Sequence, residues 1–171
     1  DVEKEEPPEL LREICHYIID CGAHAVIGHG PHLLRPIEIY RECPIFYSLG
    51  DFVLELYGIN EVPADMYEQY GLSPEVGVAE LVCRRSNGYT RGLMADRRMF
   101  ISIIPVVEME KGKLVSLRIS PVEADMRVDS PTLGLPYLSH DAHILDDFIA
   151  RCARFGTTLT KNGDGSYTCT W

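Results

Sequence analysis

Six cysteines, at positions 15, 21, 43, 83, 152 and 169, form no C-x-x-C pair and keep no regular spacing. The chain therefore lacks the common zinc-binding pattern and the thioredoxin-type redox motif. Several of them stand in apolar surroundings, where Cys behaves as a small hydrophobe, so no disulfide framework is expected. Long hydrophobic runs are missing too. The most apolar stretch, Phe100 to Val107, covers eight residues, against the roughly twenty that a membrane-spanning helix requires. Positive charge is scarce: 16 Lys and Arg stand against 26 Asp and Glu, a formal net charge of −10. That is the wrong sign for a general nucleic-acid binder, which needs a dominant positive field over the phosphates. There is no internal repeat and no low-complexity tract. The opening, DVEKEEPPE, has neither an initiator Met nor the basic and apolar regions of a signal peptide, and reads as a segment of a longer protein.

What is present is ordinary globular material. At 171 residues with 46% hydrophobic content, the chain is expected to form a single domain over 1–171, burying roughly 70% of its unfolded surface. Residues 9–21, ELLREICHYIIDC, place Leu10, Leu11, Ile14, Ile18 and Cys21 at helical spacing, with Pro7 and Pro8 ahead and Gly22 behind. The run Ala23–Ile27 reads as a buried strand, and Pro36–Tyr40 and Pro44–Val53 as two more joined by RECP. Phe46, Tyr47 and Phe52 are expected in the core. Residues 54–75 read as an insertion loop, and Val76–Arg84 as a strand. Phe100–Glu110 and Lys113–Ser120 flank Lys111–Gly112 as a hairpin. Residues 121–139 read as a crossing loop, Ser139 as the cap of a helix over 140–155, and Asn162–Gly165 as a final turn. The class is α/β (α+β), mostly β in the second half.

The five residues Gly28-His29-Gly30-Pro31-His32 follow the first predicted strand, and strand ends are where α/β sheets usually bind ligands. Glycines on both sides of His29 permit close approach, and Pro31 stiffens the turn. Two neutral imidazoles supply half of a tetrahedral shell for Zn, Mn or Fe. The alternative is a Gly-Pro turn bearing two solvated histidines.

Residues Ile18 to Val53, IIDCGAHAVIGHGPHLLRPIEIYRECPIFYSLGDFV, closely resemble the capsule-synthesis CapA family, associated with poly-gamma-glutamate capsules. TRGLMADRRMF at 90–100, SPVE at 120–123 and FGT at 155–157 resemble it as well. The resemblance implies a fold like that of calcineurin-type metallophosphoesterases, a β-sandwich flanked by helices, of which this chain would be the C-terminal portion with the N-terminal half missing. It implies that His29 and His32 are ligands of a divalent metal ion, with two ions in the intact protein and the other ligands in the missing half. It also implies an anionic polymer or small-molecule substrate, capsule-assembly partners and work at the cell envelope. One departure stands out: the family usually has Asn after the Gly of YSLG-x-F, where this chain has Asp51. An ionised Asp51 near the histidines would strengthen cation binding or weaken an anionic substrate; an exposed turn residue without a role is the other reading.

Three further features call for a reading. His140-Asp141-x-His143 would place two imidazoles on one helical face, although a helix N-terminus disfavours added positive charge. Arg84, Arg85, Arg91, Arg97 and Arg98 face only Asp96 over 84–98, five charges against one. Arg91, Arg97 and Arg98 are candidates to grip carboxylates or phosphates, against the plainer reading that they pair with the protein's own acids. The acidic start, Glu3 to Glu9, reads as a solvated helix approach, and His16 and His24 as packing residues. Three functions stay open: a metal-dependent hydrolase in the intact protein, a non-enzymatic component that binds polymer or partners, and an α/β binding module without metal.

Overall fold

Alternating apolar residues in LRPIEIY and CPIFYSL build a hairpin, β2 (Leu34–Tyr40) and β3 (Cys43–Leu49), closed by Arg41 and Glu42, both at positive φ. These two turn positions match the right-handed twist of the strands, a role usually given to Asn and Gly. The structure is a computed structural model; it describes residues 2–53, 61–127 and 129–171. β1 (Val26–Ile27) joins β3 in parallel, with Val26 opposite Ile45 and Ile27 opposite Phe46, giving a three-stranded sheet in the order β1-β3-β2. The central β3 is buried along its length up to Leu49.

The second sheet starts from the expected hairpin. β4 (Ile101–Glu110) and β5 (Lys113–Ala124) pair from Ile101–Glu123 to Glu110–Lys113 around Lys111–Gly112. The closing hairpin, β7 (Thr158–Lys161) and β8 (Tyr167–Thr170), adds to β5 to give the order β4-β5-β8-β7, with β6 (Pro136–Leu138) also on β5. Between the sheets, Ile37 and Phe46 meet Ile103, Leu117 and Ile119. Helix α5 (Asp146–Arg154) fills one side of this core with Phe148 and Cys152, next to Leu145. The Ile37 amide donates to Cys152 Sγ, and burial pushes that thiol up to about 12. A smaller core lies on the other face of the small sheet, where Cys15 and Ile19 of helix α2 (Glu9–Asp20) cover Cys43, Ile45 and Tyr47. All six cysteines are free. This is the α+β class expected, with helices on two mixed and antiparallel sheets.

Several expectations need correction. The buried face of α2 is Cys15 and Ile19, with Leu11 half-buried; Leu10, Ile14 and Ile18 are exposed. The helix is turned because β2 offers partners to its polar flank: His16 bonds Glu38 and stacks on Tyr40. β1 has only two residues and lies at a sheet edge with Ile27 exposed, so Ala23–Ile27 is not a buried strand. His24 is exposed, its ring against Gly112. β3 stops at Leu49, because Gly50 turns the chain at φ +74°, and this leaves Phe52 outside the core.

Residues 54–60 of the expected insertion lie outside the described residues, and the remainder contains helix α3 (Ala64–Gln69). VAELVCRR forms helix α4 (Val78–Arg85), not a strand; Gly77 opens it and Ala79, Glu80 and Leu81 favour helix. β5 runs through 121–124 and β6 lies within the expected crossing loop. The last helix begins at Asp146, not His140. Ser139 and Asp141 accept the amides of Asp141 and His143 in a local turn, which satisfies the backbone before a helix can start.

The acidic start is only partly solvated: Glu9 is exposed, but Glu5 is buried. A short helix α1 (Val2–Glu5) carries Glu5 into a buried position between Arg98 and Arg151, at 3.4 and 3.3 Å. Glu6 pairs with Arg154 at 2.6 Å, and Arg35 Nε donates to the Lys4 carbonyl.

Candidate metal and ligand sites

β1 and β3 run parallel, so their carboxyl ends open on the same side of the molecule. Gly28 ends β1 by donating its amide to the Phe46 carbonyl at 2.7 Å. A Cβ on Gly28 would stand 2.7 Å from the Tyr47 carbonyl oxygen, so only glycine allows the chain to pass this close to β3. The turn continues through exposed His29, Gly30 at φ +126° and Pro31 to His32 at φ +60°. At the end of β3, Gly50 packs so closely on the start of β4 that a Cβ would lie 2.5 Å from the Ile101 carbonyl oxygen.

These two glycine-controlled ends bring His32 and Asp51 together. His32 Nδ1 lies 2.8 Å from Asp51 Oδ2, a contact across 19 residues of sequence, with Asp51 the less exposed partner. A carboxylate held on one ring nitrogen fixes the imidazole and leaves Nε2 as the outward donor, the arrangement that orients metal-ligating histidines. His29 is exposed on the same turn. Among the described residues there is no group of three or more His, Cys, Asp or Glu that could hold a metal ion. The contact the structure shows is that of His32 with Asp51, one imidazole with a supporting carboxylate, and not a coordination shell.

The arginines are distributed differently. Arg97 donates to Glu123 at 3.1 Å and Asp141 at 3.0 Å, and Arg98 forks onto Asp96 and reaches Glu5. The Arg98 guanidinium holds the Asp96 carboxyl below the usual carboxylate range, and the His143 amide, with Arg97 next, does the same for Asp141. Arg91 Nε donates to the Arg85 carbonyl. Arg85, Arg91, Arg97 and Arg98 nevertheless line one cleft of about 1130 Å³, whose apolar wall includes Val62, Met66, Tyr70, Leu81 and Val82. His143 pairs with Asp146 at 2.8 Å at the foot of α5; it and His140 precede the helix and do not share a helical face.

Two polar clusters were not foreseen. Glu38 accepts from the Tyr47 hydroxyl at 2.5 Å and contacts His16 Nε2 at 2.9 Å. Burial, with the Glu38 hydrogen bond next, drives the Tyr47 phenol far above its ordinary value. The only sequence signal was a Glu inside an otherwise apolar strand. Asp125 gathers the Arg127 guanidinium, the Ser130 and Thr132 hydroxyls and the Arg127 amide, which hold its carboxyl far below the usual range. The D-x-R-x-x-S-x-T spacing is legible only once the loop is known to close on itself.

Residues 2–55, which include His29, His32 and Asp51, match the bacterial capsule synthesis protein family PGA_cap. Through this segment, about a third of the chain, it is similar to the CapA capsule-synthesis family. A CapA relative, the PGA biosynthesis protein CapA of Bacillus subtilis, is 44% identical over 50 residues, 29% of this chain and 13% of that protein. A probable polyglutamine synthesis accessory protein of Mycobacterium tuberculosis is 52% identical over 45 residues, 26% of this chain and 12% of its own length. An uncharacterized protein of Sinorhizobium fredii is 35% identical over 166 residues, 91% of this chain. The chain spans 36% of the length of that relative. No helix among the described residues is long and apolar enough to cross a membrane.

Proposed function

We propose that this chain is part of a protein of capsule or poly-gamma-glutamate biosynthesis at the cell envelope. In this reading His29 and His32 contribute to a divalent-metal site whose other ligands lie outside this chain, in the N-terminal half of a metallophosphoesterase-like domain. The observation that carries the reading is the His32–Asp51 contact, at 2.8 Å, on the carboxyl ends of two parallel strands. His29 and His32 would hold the ion, Zn, Mn or Fe, or one of two such ions. Asp51 keeps the His32 ring oriented. The departure from Asn at position 51 has a consequence here: a carboxylate accepts from Nδ1–H, so it selects the tautomer whose Nε2 lone pair points outward. When bound, a divalent ion supplies charge neutralisation and water activation for cleavage of a phosphoester or an amide.

The test is divalent metal per chain in the intact protein by elemental analysis, wild type beside His29→Ala/His32→Ala, with circular dichroism as a check of folding. Near-stoichiometric metal that falls sharply in the variant supports the reading. Equal metal in both, or none in either with folding intact, removes it.

A second reading is favoured by the cleft described above: a polymer-binding component of capsule assembly without catalysis. Arg85 and Arg91 bring guanidinium groups to an apolar wall, a combination suited to the methylenes and carboxylates of an anionic polymer. Arg97 and Arg98 contribute less in this role, because the protein's own carboxylates already engage them. Capsule-assembly proteins are the partners this role would need. Binding of poly-gamma-glutamate that Arg85→Ala/Arg91→Ala abolishes, in a metal-free protein, would select it.

A further inference from the structure

Helix α2 lies over the small sheet with its two flanks in unlike surroundings. On one flank His16 contacts Glu38 and stacks on Tyr40 with ring centroids 4.0 Å apart, and both partners belong to β2. At 100° per residue Leu10, Ile14 and Ile18 fall on the opposite flank, on the far side of Leu11 from His16. The sheet order is β1-β3-β2, so that flank overhangs β1. It is apolar and bare: Leu10 is 67% exposed, Ile14 46% and Ile18 39%, and Ile27 of β1 is 63% exposed.

The edge below this flank is also open. The Gly28 amide points to Phe46 on β3. Because backbone groups alternate along a strand, the N–H and C=O of Ile27 point the other way. Among the described residues no strand pairs with that side of β1. An apolar flank at i, i+4 and i+8 hanging beyond an edge strand is what a helix presents when its sheet continues beneath it.

We propose that in the longer protein the sheet extends past β1 by at least one strand, supplied by the remainder of the same polypeptide, paired to Ile27 and buried under Leu10, Ile14 and Ile18. Two observations select this occupant over a second copy of the chain. The relative matched over 91% of this chain is nearly three times as long, which provides the necessary polypeptide. A second copy would bring one net charge of −10 against another, and two ladder residues are too few to hold two copies edge to edge. The proposal needs no metal at His29 or His32, so loss of the metal reading leaves it standing.

The test uses the full-length protein. Hydrogen exchange is read at the Ile27 amide in the wild type, and melting temperature in Ile14→Asp, Ile14→Ala and, as an exposed control, Glu13→Ala. The expected result is exchange at Ile27 slowed by about 100-fold or more relative to an unprotected amide, a Tm loss of roughly 5 °C or more for Ile14→Asp, a smaller loss for Ile14→Ala, and none for Glu13→Ala. An unprotected Ile27 amide, or Ile14 variants that melt with the wild type, overturns the proposal. So does protection that vanishes on dilution while sedimentation reports a dimer, because a second copy is then the occupant. Should Ile14→Asp fail to fold, the wild-type exchange and Ile14→Ala decide.

Discussion

Replacing Gly50 by Ala adds one methyl group at the point where the end of β3 meets the start of β4. Two costs combine. The residue sits at φ +74°, where an L side chain is strained, worth about 1 kcal/mol for Ala. The new Cβ would stand 2.5 Å from the Ile101 carbonyl oxygen and 3.4 Å from Ser102 Cα. Its neighbour is backbone already committed to the β4–β5 ladder, so relief requires the two sheet ends to separate, costing roughly 1–3 kcal/mol more. The expected total is about 2–4 kcal/mol, or roughly 5–15 °C in Tm for a domain of this size. Gly112→Ala is the matched comparison. It shares a positive φ of +79°, but its Cβ would meet only the ring of exposed His24, which can swing aside. Urea unfolding followed by circular dichroism should therefore rank Gly50→Ala at least 1 kcal/mol below Gly112→Ala. Equal losses in the two variants would refute the close-approach argument and, with it, the claim that Gly50 sets the position of Asp51.

Two other outcomes are expected. Glu5→Gln should cost about 2 kcal/mol in urea unfolding, because it leaves the Arg151 guanidinium, 10% exposed, without its counter-charge; Glu5→Gln/Arg151→Met should recover most of this, and a single-variant loss under about 0.5 kcal/mol would contradict the buried pair. On the acid side, Asp96, Asp125, Asp141 and Asp164 all have lowered carboxyl pKa values in the folded state. Their contribution is fully present above the unfolded value of about 4 and is lost as pH falls through the folded values. Stability measured from pH 6 to pH 2 should drop below about pH 4, less steeply in Asp125→Asn; a parallel curve for that variant would contradict the assignment.

The sequence made legible what depends on neighbours along the chain. PIFYSL, the Lys111–Gly112 turn and the Asn162–Gly165 turn carry their own periodicity and turn chemistry, and they stand as expected. The GHGPH turn was legible in the same way, Asp51 only as a departure from the family pattern it resembles, and the structure brings His32 and Asp51 into contact. What stayed hidden depends on partners distant in sequence. The turned face of α2 follows from Glu38 and Tyr40 on β2, and the burial of Glu5 follows from Arg98 and Arg151. VAELVCRR misled because an apolar and polar alternation over a few residues also fits a short amphipathic helix. That the Arg cluster pairs with the protein's own acids was open to the sequence, but not which acids, because Glu5, Glu123 and Asp141, which engage two of its members, are remote in sequence.

The Glu5 contact also bears on the order of assembly. Its partner Arg151 lies in the last helix, so the pair closes nearly the entire chain into a loop. Closure over so long a span carries a large entropy cost and becomes favourable once the two sheets have condensed around α5. During synthesis, Glu5 emerges long before Arg151 and Arg154 exist to receive it. The acidic N-terminal segment is therefore expected to reach its full set of partners late, after the last helix docks. A change at Glu5 should then act mainly on the unfolding rate and leave the folding rate almost unaltered.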